Sequence, residues 1–165
     1  MKVYLFGCRD LGGIPECIEE HLVKMIEATN GDIEFMVSDG AGIDASFHKS
    51  LSAIGARDKS KVYCFEKPRS NVYELDTHVM NLKYDEDSKE VMVYDGDELV
   101  GELFDMTKLE DAYLNPQLYD IKSKRMVETC DFALCYTDGN NRNVQREIDR
   151  LSAYNKYVYV YTALI

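Results

Sequence analysis

Residues 33–51 read Ile-Glu-Phe-Met-Val, then Ser38-Asp39-Gly40-Ala41-Gly42-Ile43-Asp44, then Ala-Ser-Phe-His48-Lys-Ser-Leu51. The first five residues form an apolar, β-prone run. The last seven carry helical spacing, with Phe47, Leu51 and Ile54 at i, i+4 and i+7. Between them, Gly40 and Gly42 permit a tight turn and let a ligand come close to the main chain. The first amides of a helix have no partner within it. Together with the positive end of the helix dipole they suit an anion such as phosphate. The same junction also works as a plain strand-to-helix turn without a ligand, so the rest of the chain has to decide.

Outward from this stretch the rhythm repeats. Lys2–Phe6 is a strand closed by Gly7-Cys8-Arg9-Asp10, and a helix is predicted from Ile14 to Ala28 with Pro15 in its first turn. Ile18, Leu22, Met25 and Ile26 form its apolar stripe. Helix two is predicted over Gly42–Ile54 and strand three over Lys61–Phe65. Strands alternating with helices predict βα units and a parallel sheet. The rhythm breaks at Pro68. Val79–Tyr84, Val91–Tyr94 and Leu99–Phe104 are strand candidates, and Asp95-Gly96-Asp97 is a hairpin signal. Residues 68–106 therefore read as an acidic antiparallel insertion: a surface loop, a lid or flap, or an oligomer contact. The rhythm then returns with a helix at Tyr119–Thr129, a strand at Asp131–Thr137, a helix at Arg142–Tyr154 and a strand at Tyr157–Thr162. The expectation is one α/β domain over 1–165, with a Rossmann-like parallel sheet of about five strands, helices on both faces and the antiparallel insertion.

Composition narrows the function classes. At 165 residues, 45% hydrophobic, the chain can bury a real core. It has no run near the ~18–20 apolar residues of a membrane span, and Met1–Gly7 reads as a strand and not a signal peptide. A cytoplasmic location and no membrane partner are expected. Five cysteines without C-x-x-C spacing agree with reduced thiols, and three scattered histidines offer no metal cluster. No metal and no cofactor are expected. A net charge of −11 argues against nucleic acid. Residues 68–111 hold 13 acidic and 4 basic side chains, which is −9 of that −11, so a phosphate-bearing small molecule remains compatible with the rest.

Three strand–turn–helix junctions emerge: Gly7-Cys8-Arg9, Ser38 to Asp44, and Asp138-Gly139-Asn140-Asn141-Arg142-Asn143. In a parallel sheet all three fall at the carboxyl ends of strands, where ligands of open α/β sheets bind. Ser-Asp-Gly-Ala-Gly-Ile-Asp-Ala-Ser-Phe-His-Lys-Ser-Leu resembles the "GGA-x-GID-x-x-AH-x-x-AL" stretch of the SLOG superfamily, which includes DNA-processing protein A and the Lonely-guy phosphoribohydrolases. The opening Gly-Cys-Arg-Asp is similar to that group's "GSR(D)" start. Cys130 to Gly139, Val144-Gln-Arg-Glu147-Ile and Asn155 to Tyr161 resemble its ending, shared with nucleoside 2-deoxyribosyltransferases. The chain departs from the pattern too: "GG-x-GT" is replaced by Gly139-Asn-Asn-Arg142-Asn143, one residue is missing from the middle motif, and Asp39 stands for its first glycine.

The resemblance implies a small-molecule nucleotide or nucleoside as partner, and a homo-oligomer. It places Glu147 where the deoxyribosyltransferases carry a nucleophile. Such a carboxylate could attack or stabilise an anomeric carbon; it could equally pair with Arg146 or Arg150. The expected ligand-binding residues are Gly7, Cys8, Arg9, Asp39, Gly40, Ala41, Gly42, Asp44, His48, Asp138, Gly139, Asn140, Arg142 and Asn143. Phosphate is expected at the Gly40–Asp44 turn and at Arg9, and ribose near Asp44 and Glu147. Asp44 and His48, four apart, share a helix face, so Asp44 could hold one tautomer of His48; a capping aspartate and a half-buried histidine fit as well. Three functions compete: binding of a nucleotide or ADP-ribose-type ligand, cleavage or transfer of an N-glycosidic bond through Glu147, and, disfavoured by the charge, DNA processing.

Overall fold

Val3 and Leu5 point to one side of the first strand and Tyr4 and Phe6 to the other, and all four are buried. A strand apolar on both faces is a central strand with helices above and below. The computed structural model, which describes residues 1–103 and 116–164, places it so. The elements are β1 (Lys2–Gly7), α1 (Glu16–Ala28), β2 (Glu34–Ser38), α2 (Ile43–Ala53), β3 (Ser60–Phe65), β4 (Asp76–Asp85), β5 (Glu90–Asp95), β6 (Glu98–Leu103), α3 (Pro116–Thr129), β7 (Phe132–Thr137), α4 (Arg142–Ala153) and β8 (Tyr157–Thr162). They build one sheet of order β6-β5-β4-β3-β2-β1-β7-β8.

The expected α/β class, mostly parallel sheet and antiparallel portion are all present. Val3, Leu5, Phe35, Val37 and Leu134 pack beneath Ile18 and Leu22 of α1 and Phe47 and Leu51 of α2. On the other face Tyr4, Phe6, Met36 and Cys135 pack against Met126 and Val127 of α3 and Val144 and Leu151 of α4. Predicted and observed spans agree to within a residue or two, except that β4 and α3 each begin three residues earlier, at Asp76 and Pro116.

The segment expected as an insertion is bound into the sheet more firmly than a flap. β4 pairs with β3 in parallel, Lys61 with Asp76 through Phe65 with Met80, making a sixth parallel strand. β5 and β6 then add antiparallel strands beyond it. Phe65, Met80, Val91, Val93, Leu103 and Leu118 form a third core cluster beneath α3. The polar start of β4, Asp-Thr-His, hides its strand character: Asp76 and Thr77 are exposed, and main-chain pairing with β3, not apolar alternation, makes this stretch a strand. Phe104 and residues 105–106 of the expected insertion lie outside the described residues.

β1 and β7 are parallel neighbours, and their main chains come close at Gly7. The Cys8 amide donates to the Tyr136 carbonyl at 2.8 Å. A Cβ built on Gly7 would fall inside van der Waals contact of that same carbonyl oxygen. Gly7→Ala is therefore expected to lower stability by about 1–3 kcal/mol, as overpacking does in tight contacts. Urea unfolding would read this as a lower midpoint with an unchanged slope.

Candidate functional site

Sheet order puts the carboxyl ends of β2, β1 and β7 side by side. The chain leaves β1 for β2 through α1 on one face, whereas β7 leads to β8 through α4 on the other. The crossovers diverge between β1 and β7, which opens a crevice at that point of the sheet. A cleft of about 200 Å³ occupies it. Gly7 and Arg9 line it from the first junction, Ser38 and Asp44 from the second, and Asn141, Asn143, Val144 and Glu147 from the third, with Tyr4 and Phe6 of β1 and Ser123 of α3 completing it. A groove of about 310 Å³ between α3 and α4 shares Ser123, Asn143 and Glu147 with the cleft and adds Tyr119, Asp120, Arg146 and Arg150.

The α4 helix sets Glu147. Asn141 caps the helix, its side chain accepting from the amides of Asn143 at 3.0 Å and Val144 at 3.1 Å. One turn in, the Glu147 side chain is only 12% exposed. The Tyr4 hydroxyl donates to its Oε2 at 3.1 Å, and Arg150 donates to its Oε1 at 3.2 Å. Arg150 also reaches Asp120 at 3.1 Å, tying α4 to α3. Burial, then the charges of Glu147 and Asp44, push the Tyr4 phenol well above its usual pKa. Tyr4 therefore stays a donor, and both Glu147 oxygens keep a fixed orientation.

Asp44 brings the second carboxylate. It is half-buried, and its Oδ2 accepts from the Gly40 amide at 3.1 Å. Burial pushes its carboxyl above the ordinary range, against the opposing pull of Lys122 and His48. This hydrogen bond occupies one amide of the turn where phosphate was expected. The Gly40 amide already holds a carboxylate of the chain, and none of Gly40, Ala41 and Gly42 lines the cleft. Gly42 serves another purpose: at φ +73°, its Cα packs so close that a Cβ would lie 2.5 Å from the Arg9 carbonyl oxygen. That approach holds the first two junctions together.

Asp39 and His48 stand behind the cleft and not in it. Both are fully buried. Asp39 Oδ1 meets Lys122 Nζ at 2.6 Å and the Arg69 guanidinium at 2.8 Å, while its Oδ2 accepts from the Arg69 amide at 3.2 Å. Burial opposes the Asp39 charge, but the Arg69 and Lys122 hydrogen bonds outweigh it and hold the carboxyl below its usual range. Arg69 also donates to the Tyr119 hydroxyl, and its guanidinium lies 4.5 Å from the centroid of that ring. His48 Nε2 lies 2.8 Å from the Ser38 carbonyl and Nδ1 3.3 Å from that of Asn71. Backbone carbonyls, and not Asp44, orient its ring.

The remaining expected residues divide. Arg9 is exposed at the cleft, and among the described residues its guanidinium has no hydrogen-bond or ion-pair partner. Cys8 is buried, and Asn141 Nδ2 donates to its sulfur at 3.4 Å, so it joins the first junction to the third. Asp138 accepts from the Asn140 amide at 2.8 Å and Gly139 bends the turn at φ +86°. Asp138, Gly139, Asn140 and Arg142 shape the third junction without lining the cleft, whereas Asn143 lines it. Sequence reasoning missed Tyr4, Phe6, Ser38, Ser123, Asn141 and Val144 as lining residues. Only Asn141 carried a local signal, an Asn just before a helical run.

Among the described residues no group of three or more metal-binding side chains comes together, and no helix is long and apolar enough to cross a membrane. In comparisons with known proteins, no family model, no curated protein and no solved structure matches the chain.

The two neighbouring aspartates give opposite pH signatures. Asp44, with its pKa raised, weakens the fold as pH climbs through its folded value and is harmless below the unfolded value of about 3.9. Asp44→Asn keeps an acceptor for Gly40, so its melting temperature should exceed that of the parent at pH 7–8, with the gap closing near pH 3. Asp39, with its pKa lowered, stabilises above the unfolded value and loses this as pH falls, so Asp39→Asn should lower the melting temperature at pH 7. Lys122→Met, which strips one cation from a buried carboxylate, should cost about 3–5 kcal/mol in denaturant titration.

Proposed function

We propose that the cleft between β1 and β7 binds the sugar of a nucleotide or nucleoside. Arg9 meets a phosphate at the mouth, and Asp44 and Glu147 accept hydrogen bonds from sugar hydroxyls. The observation that carries this reading is the convergence of two carboxylates and a guanidinium without a partner among the described residues, each from a different strand–turn–helix junction, on one cleft of about 200 Å³. That volume lies below the ~300–1,000 Å³ of most ligand pockets. It suits a pentose, and the adjoining groove of about 310 Å³ has room for the rest of the ligand beside Tyr119. The resemblance to the SLOG and deoxyribosyltransferase motifs supports the same ligand class.

A second reading, cleavage or transfer of an N-glycosidic bond, is favoured by one feature. Glu147 is fixed by Tyr4 at a semi-enclosed floor, as a nucleophilic carboxylate needs to be. In that reaction Glu147 attacks the anomeric carbon as the C–N bond breaks. Asp44, whose raised pKa favours its protonated form, passes a proton to the departing base. Water or a second base then displaces Glu147 from the anomeric carbon and gives up its proton to the Asp44 carboxylate.

Thermal melting with AMP, ADP-ribose, NAD and adenosine tests the first reading. At a ligand concentration about a hundred times Kd, stabilisation of about 2.7 kcal/mol raises the melting temperature by roughly 5–10 °C. Arg9→Ala should weaken AMP at least about tenfold, as loss of a charged hydrogen bond does, and leave adenosine unchanged. No shift with any of the four would refute sugar binding. For the second reading, free base is followed by chromatography. Base released at the same rate by Glu147→Gln would remove Glu147 from the chemistry.

A further inference from the structure

The two edges of the sheet are built differently. β6, at one end, reads Glu-Leu-Val-Gly-Glu-Leu, and its ladder with β5 shifts register at Val93/Tyr94. Charges and irregularity of this kind keep an edge from pairing with another chain. β8, at the other end, reads Tyr-Val-Tyr-Val-Tyr-Thr, with no charge, no proline and an unbroken register against β7. Tyr157 is 64% exposed and Val160 49% exposed.

The main chain of β8 is also half unused. The Ala163 amide donates to the Thr137 carbonyl, so Ala163, Tyr161, Tyr159 and Tyr157 turn their main-chain groups toward β7. By alternation Val158, Val160 and Thr162 turn theirs outward. Among the described residues no strand lies beyond β8.

We infer that β8 is the seam of a two-fold dimer in which two copies of this chain join their sheets by antiparallel pairing of β8 with β8. Three observations choose a second copy as the occupant. Residues 157–161 form a palindrome, Tyr-Val-Tyr-Val-Tyr. Pairing centred on Tyr159 therefore sets Tyr157 against the partner's Tyr161 and Val158 against the partner's Val160, like against like on each face. A slip of two residues sets Tyr157 against Ala163 and Val158 against Thr162, so the match specifies the register. Next, the outward groups of Val158 and Val160 meet as hydrogen-bonded pairs, satisfying donors and acceptors on both chains. Finally, the charge distribution permits the approach. Most of the −11 belongs to the segment that forms β4 to β6, five to seven strands from β8. At ~4.8 Å per strand that is roughly 24–34 Å, several Debye lengths at physiological salt. Joining the β8 edges puts the acidic ends of two protomers as far apart as the sheet allows.

Above the seam, Tyr159 packs edge-on against His21 of α1, with ring centroids 4.8 Å apart, and the Tyr161 hydroxyl lies 2.7 Å from His21 Nδ1. The aromatic face of the seam is thus held in place before any partner arrives, which reduces the ordering cost of association.

Sedimentation equilibrium of the 165-residue chain at tens of micromolar should give twice 18.9 kDa. A monomer at that concentration would overturn the proposal. Val160→Pro removes an outward amide that β7 does not use, a position where an edge strand tolerates proline. It should leave far-UV circular dichroism unchanged and give a monomer; a folded variant that stays dimeric would place the interface elsewhere. The register has its own test in a Cys17→Ser background. Tyr159→Cys faces its own copy in a non-hydrogen-bonded pair, at about 4.5 Å between Cα atoms, within disulfide reach. Mild oxidation should convert it to a covalent dimer. Tyr157→Cys would stand about 13 Å from its copy at ~3.3 Å per residue and should remain uncrosslinked. Equal crosslinking of the two would disprove the two-fold at Tyr159.

Discussion

The close contact between β1 and β7 is the constraint on which the rest of the molecule depends. Gly7 lets two parallel backbones meet where their crossovers depart to opposite faces. That divergence leaves a crevice which the chain cannot fill with its own helices. Every side chain of the candidate site is placed by its distance from this contact. Arg9 follows it directly, Tyr4 rises from the same strand, and Glu147 descends from the helix that β7 feeds.

A second layer, out of reach of any ligand in the cleft, keeps the three junctions in register. Asp39, Lys122 and Arg69 come from the end of β2, from α3 and from the loop after β3. A buried carboxylate with two cations contributes little net stability over an apolar packing of the same volume, but it tolerates no misalignment. Its geometry ties α3 to the β2 turn, and α3 in turn supplies Ser123 to the cleft and Asp120 to Arg150. Cys8 and Asn141 make a smaller tie between the first and third junctions. At the glycine turn Asp44 accepts from the Gly40 amide and offers the cleft a partly desolvated carboxylate.

The acidity of the chain also acquires a location. It lies on β4 to β6, the far end of the sheet, where it covers an edge, whereas the cleft sits among β2, β1 and β7. Net charge by itself is a statement about solubility and association and not about a site. Here the separation puts Arg9 at the opposite part of the sheet from most of the acidic side chains.

Local pattern was enough for the α/β class, for both faces of β1 and for most element boundaries, because helical and strand periodicities depend on neighbours a few residues away. It was also enough to bring Arg9 and Asp44 forward as candidates, since each lies at a junction that follows a strand, whereas Glu147, one turn inside α4, came forward through the family resemblance. Whether those residues would converge, and which charges would be consumed by one another, lay beyond it. Asp39 meets Lys122 across 83 positions and Tyr4 meets Glu147 across 143. No local pattern encodes such pairs. They exist only once the sheet has put the strands in order, and burial then decides that Asp39 and His48 support the site while Asp44 and Glu147 face it.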